Sequence, residues 1–243
     1  MIYQPVNKVA VLLAAYNGSD YIEEQLISIL NQSLSVDIFI NVDQSKDNTY
    51  EICLEYSEVY SNVHILPYGK RYGGAASNFF CLIRNVDLSK YDFVALSDQD
   101  DIWFDYKIKR AVDIMKNTNA KGYSSNVLAF WENGKRELID KSQPQRKYDY
   151  LFEAAGPGCT YVMSSDVLQK FKCCLIKNDE FYDFIELHDW LIYAFFRRYA
   201  HQWYIDRKPC MLYRQHANNQ VGINKGLNAI VKRFFLLKDG WYK

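Results

Sequence analysis

Four apolar runs in the first hundred residues constrain the fold of this chain more than any other feature of its sequence. They cover residues 9–14, 36–42, 63–66 and 91–96, and polar turns and helical patterns separate them. Continuous apolar runs are typical of strands covered on both faces, and the segments between them repeat apolar residues three and four positions apart. This βαβαβαβ order predicts an α/β fold with a largely parallel sheet and helices on both faces.

Local signals predict further elements. Asp20 and Glu23 have the spacing of a capping box in front of the first helix. The pair Asn133-Gly134 lies between two apolar stretches and predicts a hairpin. We expect further helices at residues 75–86, 108–115, 166–176 and 189–199, and short strands at residues 203–205 and 211–213.

Composition excludes several classes of protein. The chain has 29 basic and 29 acidic residues, whereas a dedicated nucleic-acid binder usually has a basic excess, so we expect no nucleic-acid partner. The apolar run near the N-terminus lacks the flanks of a signal peptide, and we expect no membrane span. The six cysteines show no pair with the two-residue gap of a zinc or redox motif. We therefore expect a cytoplasmic protein with reduced thiols.

An acidic run is the sharpest chemical feature of the sequence. Asp98, Asp100 and Asp101 follow directly after the fourth predicted strand. Hard divalent cations prefer carboxylate oxygens, and a site that also binds substrate phosphates needs only one or two protein carboxylates. The alternative is a solvated acidic turn that caps the following helix. In a parallel sheet, ligands bind outside the carboxyl ends of the strands, so this run should meet the turns after the other strands.

Other polar side chains are candidates for the same edge of the sheet. Asp43, in the turn after the second strand, could accept hydrogen bonds from a base or a ribose. A basic pair ending at Arg71 precedes two glycines and suits phosphate, with a surface basic pair as an equal alternative. Asp189 is either a helix cap or a general base that faces the cleft. Arg214 and His216 could bind a diphosphate or complete a metal shell.

Taken together and in this order, these segments resemble the family 2 glycosyltransferases, whose fold is of the GT-A type. The segments are AAYNG, VDQSKDNT, GGAASNF, LSDQDDIW, GPGCT, HDW and YRQHANNQVG. They extend from residue 9 to residue 222, and DQDDIW is the most specific of them. Its pairing with YRQH resembles the rhamnosyltransferase-like subgroup. The resemblance implies a Rossmann-like, mostly parallel central sheet flanked by helices, with a small irregular acceptor-side half.

The resemblance also implies roles for individual residues. The residues implied to bind the nucleotide-sugar are Ala15, Tyr16, Asp43, Arg71, Asp98, Gln99 and Arg214. The implied ligands of a Mg²⁺ or Mn²⁺ ion, which include the DxD motif, are Asp98, Asp100 and His216. The residues implied to border the sugar and the acceptor are Gly158, Cys159, Thr160 and Trp190. The implied catalytic base of a single inverting displacement is Asp189.

The implied activity is transfer of a hexose, with rhamnose as a candidate, from a dTDP- or UDP-sugar to a saccharide or lipid-linked acceptor in bacterial surface polysaccharide synthesis. The chain is expected to form one domain. Residues 8–120 would bind the nucleotide-sugar, residues 121–222 would form the acceptor and catalytic half, and residues 223–243 would form a C-terminal helix.

Two other functions stay open at this stage. A non-catalytic nucleotide-sugar-binding module would bind a donor without transferring it. A nucleotidyltransferase would carry a glycine-rich basic loop near the first strand, where this chain has AAYNGSD. The basic and aromatic C-terminal segment predicts weak peripheral contact with the inner face of the membrane, with packing on the domain as the alternative.

Overall fold

The computed structural model describes residues 7–178 and 185–216. Eleven strands and six α-helices lie in these ranges. The strands are β1 (Val9–Ala15), β2 (Asp37–Val42), β3 (Val63–Ile65), β4 (Phe93–Ser97), β5 (Ile102–Trp103), β6 (Gly122–Ser125), β7 (Val127–Phe130), β8 (Arg136–Ile139), β9 (Val162–Ser164), β10 (Trp203–Asp206) and β11 (Met211–Arg214). The helices are α1 (Ile22–Leu30), α2 (Thr49–Val59), α3 (Ala75–Asn85), α4 (Lys107–Thr118), α5 (Ser165–Lys177) and α6 (His188–Arg198).

A seven-stranded sheet forms the centre of the fold, in the order β10-β6-β9-β4-β1-β2-β3. β9 runs antiparallel to β4 and β6, and the other strands run parallel to one another. β1 lies between β2 and β4, so the carboxyl ends of these three strands meet at one edge. The structure confirms the mostly parallel α/β sheet that the apolar runs predict.

The core has two layers, one on each face of the sheet, and β1 contributes to both. Val11 and Leu13 pack with α1 and α4, whereas Leu12 and Ala14 pack with α3, α5 and α6. Every residue of β1 is buried. This two-sided burial explains why the strand is a continuous apolar run instead of an alternating one.

A smaller four-stranded sheet, in the order β5-β11-β7-β8, lies beside the acidic run. β7 and β8 form the antiparallel hairpin that Asn133-Gly134 predicts, and Gly134 has a φ of 81° in its turn. β11 pairs parallel with β7 and antiparallel with β5. This pairing returns the end of β11 to the edge where β4 ends.

Some sequence-based expectations are wrong in detail or fall outside the described part of the chain. α1 begins without a side-chain cap, because its first N–H groups bond instead to the carbonyl of Gly18, so the capping box does not form. β5 and β6 were not predicted, since each is too short or too mixed for a pattern. The expected C-terminal helix lies outside the described residues. In residues 7–178 and 185–216, no helix combines the length and apolar character that crossing a bilayer requires.

Candidate functional site

The loop after β1 is held by the side chain of Gln99. Its Oε1 accepts a hydrogen bond from the Tyr16 N–H at 2.6 Å, and its Nε2 donates to the Tyr16 carbonyl at 2.8 Å. A Cβ on Gly18 would lie 2.3 Å from the same amide, so only glycine leaves room for this contact. Gln99 thereby joins the end of β1 to the acidic run and presents the Tyr16 side chain, which is 40% exposed.

The same loop is also tied to the turn after β2. The Asn17 N–H donates to Ser45 Oγ at 3.0 Å, and the Gly18 N–H donates to Thr49 Oγ1 at 2.7 Å. Asp47 accepts hydrogen bonds from the N–H groups of Ser19 and Thr49, at 3.0 and 3.1 Å. The two post-strand loops therefore form one rigid surface at the carboxyl edge of the sheet.

Asp43 holds a third loop against this surface. Its carboxylate accepts hydrogen bonds from the N–H groups of Gln44, Tyr72 and Gly73, at 2.7, 2.8 and 2.9 Å. Asp43 is 3% exposed, and Gly73 has a φ of 80°, which favours glycine. The structure thus gives Asp43 a backbone-clamping role that the sequence did not indicate. Arg71 is exposed on the clamped loop.

The acidic run lies at the end of β4, where Asp98, Asp101 and the Cys159 thiol each offer an atom within 4.8 Å of the others. Burial, together with the nearby charges of Asp100 and Asp189, raises the pKa of Asp98 from 3.8 to about 7. Burial, together with the nearby charges of Asp100 and Asp98, raises the pKa of Asp101 well above its usual value. The carboxylates that follow β4 and the aspartate of α6 therefore share one electrostatic environment.

The two carboxylate oxygens of Asp101 differ in their hydrogen bonding. Oδ1 accepts a hydrogen bond from the Arg214 N–H at 3.1 Å. Oδ2 is buried and meets no N–H or O–H donor among the described residues, and the weakly donating Cys159 thiol lies beside it. A buried carboxylate oxygen without a strong donor fits a site that a cation completes.

Lys107 is a buried lysine beside the acidic run to which the sequence assigned no role. It is fully buried, its Nζ donates to the Cys159 carbonyl at 2.6 Å, and it lies 3.4 Å from the centre of the Trp103 ring. Burial lowers its pKa to about 8, while the charges of Asp101 and Asp98 favour its protonated form. The burial of Lys107 could have been predicted from the sequence, because position 107 lies on the same helical face as the apolar residues Ala111 and Met115.

Arg214 and His216 return to the acidic run from the end of β11. Arg214 Nε donates to the Asp100 carbonyl at 2.8 Å, and its guanidinium also pairs with Glu24. His216 Nε2 lies 2.8 Å from Asp100 Oδ2, and its ring stacks on Tyr21 at 5.0 Å. The structure thus brings both residues to the carboxylates, as the sequence predicts.

The acceptor-side candidates meet at the start of α6. A Cβ on Gly158 would lie 3.1 Å from Asp189 Cβ, so the turn at Gly158–Thr160 packs directly against the helix. The Trp190 N–H donates to Asp189 Oδ1 at 2.8 Å, which orients this partly exposed carboxylate. The Thr160 hydroxyl donates to the Pro157 carbonyl and stabilises the turn. Cys159 is fully buried and faces the acidic run rather than solvent.

Two sets of residues could hold a divalent cation. The predicted set combines Asp98, Asp100 and His216, of which the last two are already paired with each other. The second set is Asp98, Asp101 and Cys159. Mg²⁺ and Mn²⁺ prefer oxygen ligands over a thiol, and burial raises the pKa of the Cys159 thiol, so carboxylates are the better ligands for such an ion.

Comparisons with known proteins agree with this geometry. Residues 10–167 match the family model described as glycosyl transferase family 2. The chain is 50% identical over 233 residues to dTDP-rhamnosyl transferase RfbG of Shigella flexneri. This match covers 95% of the present chain and 81% of RfbG. The chain is 33% identical over 159 residues to the putative teichuronic acid biosynthesis glycosyltransferase TuaG of Bacillus subtilis, covering 64% of this chain and 61% of TuaG.

Solved structures share the fold. S. aureus TarS 1–349 in complex with UDP-GlcNAc matches with a TM-score of 0.64 at 16% identity, over 87% of this chain and 60% of TarS 1–349. The mannosyltransferase PcManGT of Pyrobaculum calidifontis, in complex with GDP-Man and Mn²⁺, matches with a TM-score of 0.60 at 14% identity, over 90% of this chain and 59% of PcManGT. This chain therefore spans about three fifths of these solved chains, and it has the expected GT-A type of fold.

The family model covers more than half of the chain, and the relative that is 50% identical extends the match over most of the rest. The fold agrees with both. The chain is therefore a glycosyltransferase and belongs to glycosyl transferase family 2.

Proposed function

We propose that the chain transfers a hexose, with rhamnose from a dTDP donor as the first candidate, to a saccharide or lipid-linked acceptor in bacterial surface polysaccharide synthesis. The observation that carries this proposal is the convergence of the carboxylates that follow β4 with Asp189 at the start of α6, on either side of the turn at Gly158–Thr160. The 50% identity to a dTDP-rhamnosyl transferase supports the choice of donor. A UDP-sugar remains the second donor to test, because the similar TarS structure contains UDP-GlcNAc.

Donor binding uses the edge formed by β1, β2 and β4. The nucleoside lies against Ala15, Tyr16 and the turn held by Asp43, because this rigid surface presents an exposed aromatic ring beside polar backbone. Gln99 contributes by fixing Tyr16. Arg71 on the clamped loop and Arg214 at the end of β11 supply positive charge for the diphosphate.

The residues that would hold a Mg²⁺ or Mn²⁺ ion are Asp98, Asp100 and His216, and Asp101 Oδ2 lies close enough to contribute. The clustered carboxylates and the buried Asp101 oxygen fit a hard cation, and the similar PcManGT structure contains Mn²⁺. When bound, such an ion screens the donor diphosphate and stabilises the charge of the leaving group. Lys107 supplies a further internal positive charge behind the carboxylates.

The reaction is a single displacement with inversion. Asp189 accepts the proton of an acceptor hydroxyl, the acceptor oxygen bonds to the anomeric carbon, and the bond from that carbon to the diphosphate oxygen breaks. The nucleoside diphosphate leaves with the electron pair, and Arg214 stabilises its charge. The acceptor and the transferred sugar lie along Gly158, Cys159, Thr160 and Trp190, which flank the base.

The protein is proposed to act in the cytoplasm, at the inner face of the membrane. The basic and aromatic segment at residues 223–243, which lies outside the described residues, would make weak peripheral contact there. Liposome co-sedimentation of the full chain and of a chain ending at residue 226 tests this contact. Equal binding by both chains would remove the segment from the proposal.

The transfer itself is tested by incubating the protein with dTDP-rhamnose and with UDP-hexoses, with Mg²⁺, Mn²⁺ or EDTA, and with candidate saccharides. We expect transfer with inverted anomeric configuration, measured by NMR of the product, and loss of transfer with EDTA. Asp189→Asn should reduce kcat by about a hundredfold or more, which is the contribution of a general base. Asp100→Ala should also reduce kcat strongly, because it removes a proposed metal ligand. Asp113→Asn, on the exposed face of α4, is the matched control.

Two outcomes would contradict the proposal. Donor binding without transfer or hydrolysis would identify a non-catalytic binding module. Full turnover by Asp100→Ala would remove the metal assignment.

A further inference from the structure

His188 is a buried histidine that the proposed reaction does not use. It is the first residue of α6, directly before the proposed base, and it is 9% exposed. Its ring stacks on Phe79 at 4.3 Å between ring centres. Its Nε2 is buried and has no hydrogen-bond partner among the described residues.

This nitrogen lies against the acceptor-side turn. A Cβ built on Gly158 would lie 2.7 Å from His188 Nε2 and 3.1 Å from Asp189 Cβ. The absence of a side chain at position 158 therefore lets the turn lie directly against both residues of α6. The charge of Asp189 also raises the pKa of Asp98, so the start of α6 lies near the acidic run.

A buried polar atom without a partner is unfavourable for folding. Leaving such an atom unsatisfied destabilises a protein by about 1–3 kcal/mol, whereas an apolar group of the same shape can be neutral or stabilising. A phenyl ring would keep the stacking on Phe79 without this cost. The imidazole is thus poorly suited to a purely structural role, and its nitrogen calls for a partner that the protein does not supply.

The chemistry of the ring restricts what that partner is. Burial lowers the pKa of His188, so the ring is neutral near pH 7 and suits an uncharged group better than a phosphate. A hydroxyl both donates and accepts hydrogen bonds, so it satisfies Nε2 in either tautomer. Sugars are rich in such hydroxyls.

We propose that His188 Nε2 binds a hydroxyl of the sugar held beside Asp189 and so helps to select that sugar. This inference rests on the proposed function. The hydroxyl belongs either to the transferred sugar or to the acceptor, and the kinetic test distinguishes these two sources.

The test compares the wild-type chain with His188→Phe, His188→Gln and the control His201→Phe. His201 also contacts a phenylalanine ring, Phe196, but lies after the other end of α6. For His188→Phe we expect a melting temperature equal to or above wild type, and a kcat/KM about ten- to a hundredfold lower, as the loss of one buried hydrogen bond predicts. His188→Gln should recover part of this loss, and His201→Phe should leave kcat/KM unchanged.

The two sources of the hydroxyl give different results. If the transferred sugar is bound, donor hydrolysis without acceptor also falls, and the affinity for the nucleotide-sugar falls while that for the nucleoside diphosphate does not. If the hydroxyl belongs to the acceptor, kcat/KM for the acceptor falls, whereas donor hydrolysis without acceptor and the affinity for the nucleotide-sugar stay unchanged.

The inference is overturned if His188→Phe keeps kcat/KM within twofold of wild type, or if its activity and its nucleotide affinity fall together with its melting temperature. Failure of the proposed function is a separate result, because it is the absence of transfer by the wild-type chain. In that case, equal affinities of wild type and His188→Phe for nucleotide-sugars and saccharides, measured by calorimetry, would overturn the inference on its own.

Discussion

The raised pKa of Asp98 makes a prediction about stability as well as activity. Its carboxyl has a pKa of about 7 in the folded, metal-free protein, compared with 3.8 for an unperturbed aspartate. Below pH 3.8 the group is protonated in both the folded and the unfolded chain. As the pH rises above 3.8 the unfolded chain releases its proton first, so the stability contributed by this group falls until the pH passes about 7.

The size of the effect follows from the two pKa values. Each pKa unit corresponds to about 1.4 kcal/mol, so the difference between 3.8 and about 7 corresponds to about 4 kcal/mol at most. Asp98→Asn has nearly the same shape and carries no charge. We therefore expect it to increase the free energy of unfolding by about 2 kcal/mol or more at pH 8, and by much less at pH 4. The same variant should lose transferase activity.

Urea denaturation in EDTA at several values between pH 4 and pH 8 measures this effect. As the pH rises over this range, the free energy of unfolding of the wild type should fall relative to that of Asp98→Asn, because the other titrating groups are common to both chains. Asp105→Asn, which removes an exposed aspartate close to the acidic run, is the control and should run parallel to wild type. Mn²⁺ added to the wild type at pH 8 should restore stability, since it binds the ionised carboxylates of the folded chain. If the Asp98→Asn curve ran parallel to wild type, the electrostatic account of the acidic run would be wrong.

Three further substitutions test the scaffold of the site. Gln99→Ala removes two hydrogen bonds to the loop after β1 and should lower the free energy of unfolding by about 2 kcal/mol in urea denaturation, together with the affinity for nucleoside diphosphates. Asp43→Asn should speed the backbone hydrogen exchange of the loop that its carboxylate holds, and unchanged exchange would contradict the clamping role. Gly122→Ala places a Cβ 2.1 Å from the buried Trp203 ring and should destabilise by about 2–3 kcal/mol, whereas Gly74→Ala, with open space around it, should not.

The sequence predicted most of the central sheet and the edge of that sheet at which the acidic run lies. The apolar runs correspond to β1, β2, β3 and β4, within one or two residues at each end. Their parallel order placed the acidic run at the carboxyl edge, because strand direction follows from the alternation with helices. The hairpin of β7 and β8 also followed from its turn residues.

Several details of the site could not be predicted, because they depend on contacts between distant parts of the chain. The Gln99 amide matches the Tyr16 backbone across 83 positions, and nothing local to Gln99 distinguishes that role from a direct contact with the donor. Lys107 lies on a helical face whose burial depends on the turn at Gly158–Thr160 and on β11, which pack against it. The unpartnered His188 nitrogen is visible only once Gly158 and α6 are placed side by side.

What the sequence by itself determined is the order of strands and helices, the edge at which polar side chains gather, and, through its ordered motifs, the family. Hydrophobic periodicity and turn residues act over a few neighbouring positions, so the elements they specify can be predicted without a structure. Only the tertiary structure decided that β9 inserts antiparallel and that β11 joins a second sheet. That pairing brings Arg214 to Asp101 across 113 positions, and such closure depends on the packing of the whole core rather than on any local pattern.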